Sequence, residues 1–115
     1  MTKAKANNAI CSVTSDASPQ HDQKHRSSGN FSTQEAPDGT KQIQWFVTEN
    51  DNFAKIEFDV MEDHNSVFDR KDHVVFEKVK NETITKYKGS RQLYIANPSN
   101  AGGKKFIVQV WPYPS

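Results

Sequence analysis

Apolar and polar residues alternate through most of the chain from residue 42 onward. Between Phe53 and Met61, Ala54, Ile56, Phe58 and Val60 fall on one side and Lys55, Glu57, Asp59 and Met61 on the other, the period of a half-buried strand. The run Gln42–Glu49 sets Ile43, Trp45 and Val47 against Gln44, Phe46 and Thr48, and the Asn50-Asp51-Asn52 cluster between the two runs predicts a turn. Further on, His73–Val79 is β-branched and aromatic, Thr83–Tyr87 alternates, and Leu93-Tyr94-Ile95 follows a Lys88-Gly89-Ser90 turn signal. The spacing predicts a hairpin of Thr83–Lys88 against Arg91–Ala96 pivoting on Gly89, a residue that takes positive φ without a Cβ penalty. Glu62–Lys71, polar except for Val67 and Phe68, predicts a turn of helix or a capping loop, and Asn97–Gly103 a loop. Lys104–Trp111 is the last predicted strand, ended by Pro112 and Pro114.

The first forty residues have a different character. Ala9–Thr14 is a short alternating run, a candidate first strand, but Ser15–Lys41 is Ser, Gln, Asp, Asn, Gly and Pro with Phe31 as its only large apolar residue. Such a composition buries too little surface to offset the entropy of ordering. Residues 1–41 are therefore expected to form a flexible tail, or a first strand over 9–14 followed by a long loop, and residues 42–115 the main part of one domain. The length of 115 residues allows a single domain, and an apolar fraction of 34% implies that part of the chain lies outside its core.

A formal charge of +1 makes any electrostatic signature local. Residues 70–91 carry Arg70, Lys71, Lys78, Lys80, Lys86, Lys88 and Arg91 against Asp72, Glu77 and Glu82, whereas residues 49–63 are acidic apart from Lys55. Cys11 is the sole cysteine, so no internal disulfide forms, and no apolar run is long enough for a signal h-region or a membrane span. The expected location is intracellular: the nucleus in a eukaryote, otherwise the cytoplasm. His21 and His25 have i, i+4 spacing but no cysteine partners, and no Ser-His-Asp or Cys-His set and no glycine-rich phosphate loop stands out. Glu57 and Asp59 share a strand face, which solvated acids commonly do. The expectation is a protein with no catalytic role, no metal and no cofactor.

What remains is an aromatic and basic set, with Lys86, Lys88 and Arg91 flanking Tyr87, the combination a single-stranded nucleic-acid groove requires. The KYKGSRQLYI segment, preceded by Lys71-Asp72 where a Gly-Asp pair is common, resembles the OB-fold single-stranded-DNA-binding proteins of the replication protein A and simple archaeal type. That resemblance spans roughly residues 42–111. It implies an all-β, five-stranded antiparallel Greek-key barrel with a flexible N-terminal region, binding single-stranded nucleic acid, DNA before RNA, as in replication and repair. By position, Tyr87 matches the hairpin aromatic and Lys88-Gly89 the Lys-Gly after it. Bases would stack on Tyr87 and on one or two of Trp45, Phe46 and Tyr94, while Lys55, Lys78, Lys80, Lys86, Lys88, Arg91 and Lys105 neutralise phosphates. Asp59 departs from the pattern, standing where the family often has an outward aromatic. Two other readings remain open: an OB-fold protein-interaction subunit partnered by other OB-fold subunits, and a small β-sandwich that binds a carbohydrate or inhibits an enzyme. Trp45 and Trp111 also have a plain reading as core packing.

Overall fold

The computed structural model describes residues 9–16, 26–64 and 71–114, and in them the alternating runs become seven strands. They are β1 (Cys11–Ser15), β2 (Gln42–Thr48), β3 (Glu57–Glu62), β4 (His73–Val79), β5 (Ile84–Lys86), β6 (Leu93–Ser99) and β7 (Phe106–Tyr113). Two antiparallel sheets result, one ordered β1-β7-β2-β5 and the other β4-β3-β6. Among the described residues there is no helix.

The alternation decides which faces meet. Ile43, Trp45 and Val47 of β2 and Phe106, Val108 and Val110 of β7 point to one side of the first sheet. There they join Phe58 and Val60 of β3 and Leu93 and Ile95 of β6 in a single buried cluster. The sheets therefore pack face to face. Burying each large apolar side chain fully contributes about 1.5–3 kcal/mol, so this shared layer is the main source of stability. Trp45 is its centre, with ring centroids of Phe31, Phe58 and Phe76 at 6.2, 6.3 and 5.9 Å in edge-to-face arrangements.

The segment 26–33, expected to be flexible, is part of this frame. Arg26 and Phe31 bridge to Ala96 and Leu93 of β6, and Ser28 bridges to Ser15 at the end of β1. Ser27 N–H donates to Ile95 O at 2.8 Å, and Phe31 and Leu93 exchange bonds of 2.7 and 3.0 Å. Its hydroxyls do what apolar side chains do elsewhere. Ser27 and Ser15 hydroxyls meet at 2.8 Å, and Ser28 Oγ accepts from Ile95 N–H at 2.8 Å, so buried polar atoms are satisfied. Phe31, 7% exposed, supplies the apolar anchor. The expectations for residues 1–8 and 17–25, and for the centre of the Glu62–Lys71 connection, fall outside the described residues.

With 26–31 counted, eight extended stretches pair first with eighth (β1·β7), second with seventh (26–31·β6), third with sixth (β2·β5) and fourth with fifth (β3·β4). That is one long hairpin rolled into two sheets, the pairing of a jelly roll. The all-β expectation is met; among the described residues the strands number seven in two antiparallel sheets, and a closed five-stranded barrel is not seen. The expected hairpin of Thr83–Lys88 against Arg91–Ala96 does not form. β5 pairs with β2 through Gln42↔Lys86 and Gln44↔Ile84, while β6 pairs with β3 in the other sheet. Nor does Gly89 take positive φ; positive φ among the glycines occurs at Gly39, Gly102 and Gly103. Gly89 makes room instead, since a Cβ there would lie 2.7 Å from the Tyr87 hydroxyl oxygen. The predicted turn at 50–52 extends to Lys55, leaving Ala54 exposed, and it crosses between sheets rather than closing a hairpin.

Candidate ligand-binding surfaces

Most of the predicted stacking platforms are structural. Trp45 is fully buried, and its Nε1–H donates to Thr85 Oγ1 at 3.0 Å, so no ring face is open to a base. Tyr94 is also fully buried, although it points away from the shared core. The Arg26 guanidinium lies 3.7 Å over its ring, its hydroxyl donates to an Asp72 carboxylate oxygen, and Arg26 in turn pairs with Asp63 at 3.0 Å. Burial, reinforced by Asp72, pushes the Tyr94 hydroxyl well above its ordinary range. Tyr87 is half-buried against the core and donates to Thr33 O at 3.1 Å. Trp45 and Tyr94, expected to stack on bases, are both buried in packing.

The predicted cations do not converge on one groove. Lys80 pairs with Glu57 at 3.7 Å, Lys88 with Glu62 at 3.4 Å, and Arg91 Nε donates to Gln34 at 2.8 Å. Lys78, at φ 54, sits at an irregularity between β3 and β4, where its N–H donates to Asp59 at 3.1 Å. Lys55 and Lys105 are at the end of the molecule that Asn50, Asn52 and Asn100 hold together: Asn50 Nδ2 donates to Lys105 O and Asn100 Nδ2 to Lys55 O. Lys86 lies at the other end of the first sheet, paired with Gln42. Six steps along β2 from Gln42 to Thr48 at about 3.3 Å each separate those ends by about 20 Å.

One predicted aromatic, Phe46, does lie on an outer surface. The positions of β2 and β7 that alternate with the core set are Gln44, Phe46 and Thr48 on one strand and Ile107, Gln109 and Trp111 on the other. Where this face meets the 80–83 turn it forms a groove of about 320 Å³ lined by Phe46, Thr48, Phe53, Asn81, Glu82, Gln109 and Trp111. The turn is held on β2: Glu82 N–H donates to Trp45 O at 2.6 Å, Asn81 Oδ1 accepts from Val47 N–H at 2.9 Å, and Gln44 Nε2 donates to Glu82 O at 3.0 Å. Trp111 is 2% exposed and donates from Nε1 to Gln109 Oε1 at 3.2 Å, which fixes that amide. Phe53 is 45% exposed at the groove's rim. Phe53, Asn81 and Gln109 went unnoticed in the sequence. The available signal was a phenylalanine inside the otherwise polar turn ENDNFAK.

A second polar cluster sits where β3, β4 and the 88–92 link meet. His64 Nε2 and Glu62 Oε1 are 2.8 Å apart, the His64 and His73 rings lie 4.3 Å apart, and His64 N–H donates to Asp72 at 3.0 Å. Burial alone would raise the Glu62 carboxyl, but hydrogen bonds from His64 and Ser90 and the Lys88 ammonium outweigh it and hold the group below its ordinary value. A depressed folded-state value contributes stability above the unfolded one, about 4.3, and that contribution is lost as pH falls through the folded value. Glu62→Gln is therefore expected to be less stable than the parent at about pH 6, with the gap narrowing as the pH falls below the unfolded value of about 4.3, as read by urea unfolding across that range. A stability gap that did not narrow toward acid pH would show that the carboxylate's charge is not what matters.

Val74, 47% exposed on β4, is an apolar side chain at the edge of the second sheet. No protein-family model matches the chain, and no curated protein or solved structure matches it either.

Proposed function

We propose that the protein is a non-catalytic binding module that takes a sugar chain across the outer face of the β1-β7-β2-β5 sheet. The observation that supports it is the groove where the Phe46 and Phe53 rings stand beside the Gln109 and Asn81 amides and the Glu82 carboxylate, over the buried Trp111. A pyranose presents apolar C–H faces to rings and a rim of hydroxyls that both donate and accept, and amide and carboxylate side chains supply the complementary partners. A volume of about 320 Å³ suits one or two sugar units.

Single-stranded nucleic acid on the same face is the second reading. It is favoured by the exposed Lys86 and Lys105 at opposite ends of the sheet with Phe46 between them, and it rests on these residues rather than on a five-stranded barrel. One calorimetric experiment separates the two. Cello-, xylo- and chito-hexaose and a short oligothymidine are titrated at low and moderate salt against the parent, Phe53→Ala and Gln109→Ala. Under the sugar reading one hexaose binds, salt leaves the affinity unchanged, and either substitution weakens it at least tenfold. Under the nucleic-acid reading the oligothymidine binds and its affinity falls steeply with salt, as counterion release demands. No binding of any hexaose would sink the proposal.

A further inference from the structure

The opposite end of the sandwich holds a larger cavity, independent of the groove. It measures about 760 Å³ and is walled by Ile10, Pro37, Pro112, Tyr113 and Pro114, with Glu35, Asp38 and Lys41 among its lining residues. We propose that this cleft binds an organic cation: a molecule or side chain with an apolar or aromatic body carrying one ammonium or guanidinium group.

The walls, the volume and the charge of the cleft all fit that chemistry. First, the walls are fixed before any ligand arrives. Ile10 N–H donates to Val110 O at 2.7 Å, tying the chain ahead of β1 to β7, and Pro112 and Tyr113 are held in register opposite Ile43 and Gln42 of β2. The facing loop is closed by Thr40, whose N–H and Oγ1 both donate to Pro37 O, at 3.2 and 2.6 Å, with Gly39 at φ 86 completing the turn. Proline rings lose no rotamer freedom when they are covered, so a ligand here meets a preorganised surface. Second, the volume lies in the range of sites for drug-sized organic ligands, and the apolar walls call for an apolar body rather than a hydrated ion. Third, the charge is unbalanced. Among the described residues two carboxylates and one ammonium line the cleft, and neither Glu35 nor Asp38 has an ion-pair or hydrogen-bond partner there. Glu35 and Asp38 are exposed, so the excess negative charge draws a cation through solvent and its pull weakens with salt, while the Tyr113 ring, 38% exposed, offers that cation a π face.

The test uses the full chain and three probes: phenethylammonium, the neutral isostere phenethyl alcohol, and a short peptide carrying one arginine between apolar residues. Binding is followed by amide chemical shifts of Gly39, Lys41 and Tyr113. A cationic probe is expected to shift these three signals at an affinity at least tenfold above that of the alcohol, and Glu35→Gln with Asp38→Asn to remove that preference while leaving the fold's spectrum in place. If the peptide binds and the free amine does not, the ligand is a protein side chain. If the amine binds as well as the peptide, it is a small molecule. Either result carries the proposal. Equal binding of alcohol and ammonium, no binding of either cation, or shifts confined to Phe46, Phe53 and Gln109 would overturn it. The sheet-face groove plays no part in the outcome, so either site can fail without the other.

Discussion

Trp45→Ala is expected to destabilise the protein by about 3–5 kcal/mol, the cost of removing a large aromatic from a packed core that collapses only partly around the void. Against a total stability of about 5–15 kcal/mol for a domain of this kind, that is enough to bring unfolding within reach of ordinary conditions. The ring touches residues of both layers: Phe31 from the 26–33 segment, and Phe58 and Phe76 from the second sheet. Its loss removes contacts that hold the sheets together, not just the fit of one strand. The Thr85 hydroxyl loses its indole donor as well. The informative control is the next residue. Phe46 is half-buried on the opposite face of the same strand, and Phe46→Ala should cost less than about 1 kcal/mol while weakening any ligand held on that face. Urea unfolding of the two variants decides the matter: similar losses at the two positions would mean that the faces of β2 are assigned the wrong way round.

That contrast shows how much was legible in the residues themselves. Each alternating run from Gln42 to Trp111 contains a strand, because period-two patterning acts within a few residues and needs no knowledge of partners. Pairing is another matter. The Lys88-Gly89-Ser90 signal suggested a local hairpin, yet β5 is drawn to β2, forty positions away at Gln44↔Ile84, and Gly89 serves the Tyr87 ring rather than the turn. Sequence pattern also failed for 26–33, whose ordering comes from Ser27, Ser28 and Thr33 hydrogen-bonding to backbone together with the single apolar anchor Phe31. Tyr94 misled for a related reason. It is out of phase with Leu93 and Ile95, which predicted exposure, but Arg26 arrives from sixty-eight residues upstream to cover it. The candidate groove combined both difficulties: Phe46 and Gln109 are neighbours only because β7 returns beside β2, and Asn81 reaches them only because β5 does.

A second large effect is expected at Thr33, inside the stretch whose composition predicted a flexible tail or a long loop. Thr33 is fully buried, and every polar group it has is used. Its N–H donates to Ser90 O at 3.1 Å, its hydroxyl donates to Lys88 O and accepts from Ser90 N–H at 3.3 Å, and its carbonyl accepts from the Tyr87 hydroxyl. Thr33→Val keeps the shape and deletes only the hydroxyl. Two backbone groups of the 88–90 link then lose their partner, the Ser90 N–H in a buried bond and the Lys88 carbonyl in a part-buried one, at about 1–3 kcal/mol for each group left unsatisfied. Thr33→Ser, which retains the hydroxyl and drops a methyl, should cost about 1 kcal/mol. A valine variant that is clearly the less stable of the two in urea assigns the effect to the hydrogen bonds. The reverse order would assign it to packing, and would make the order of 26–33 a matter of Phe31 alone. Hydrogen exchange adds the spatial readout: in Thr33→Val, protection should fall first at Ser90 and Tyr87, because the hydroxyl is what holds the link to the segment, while the β2·β7 ladder around Trp45 keeps its protection.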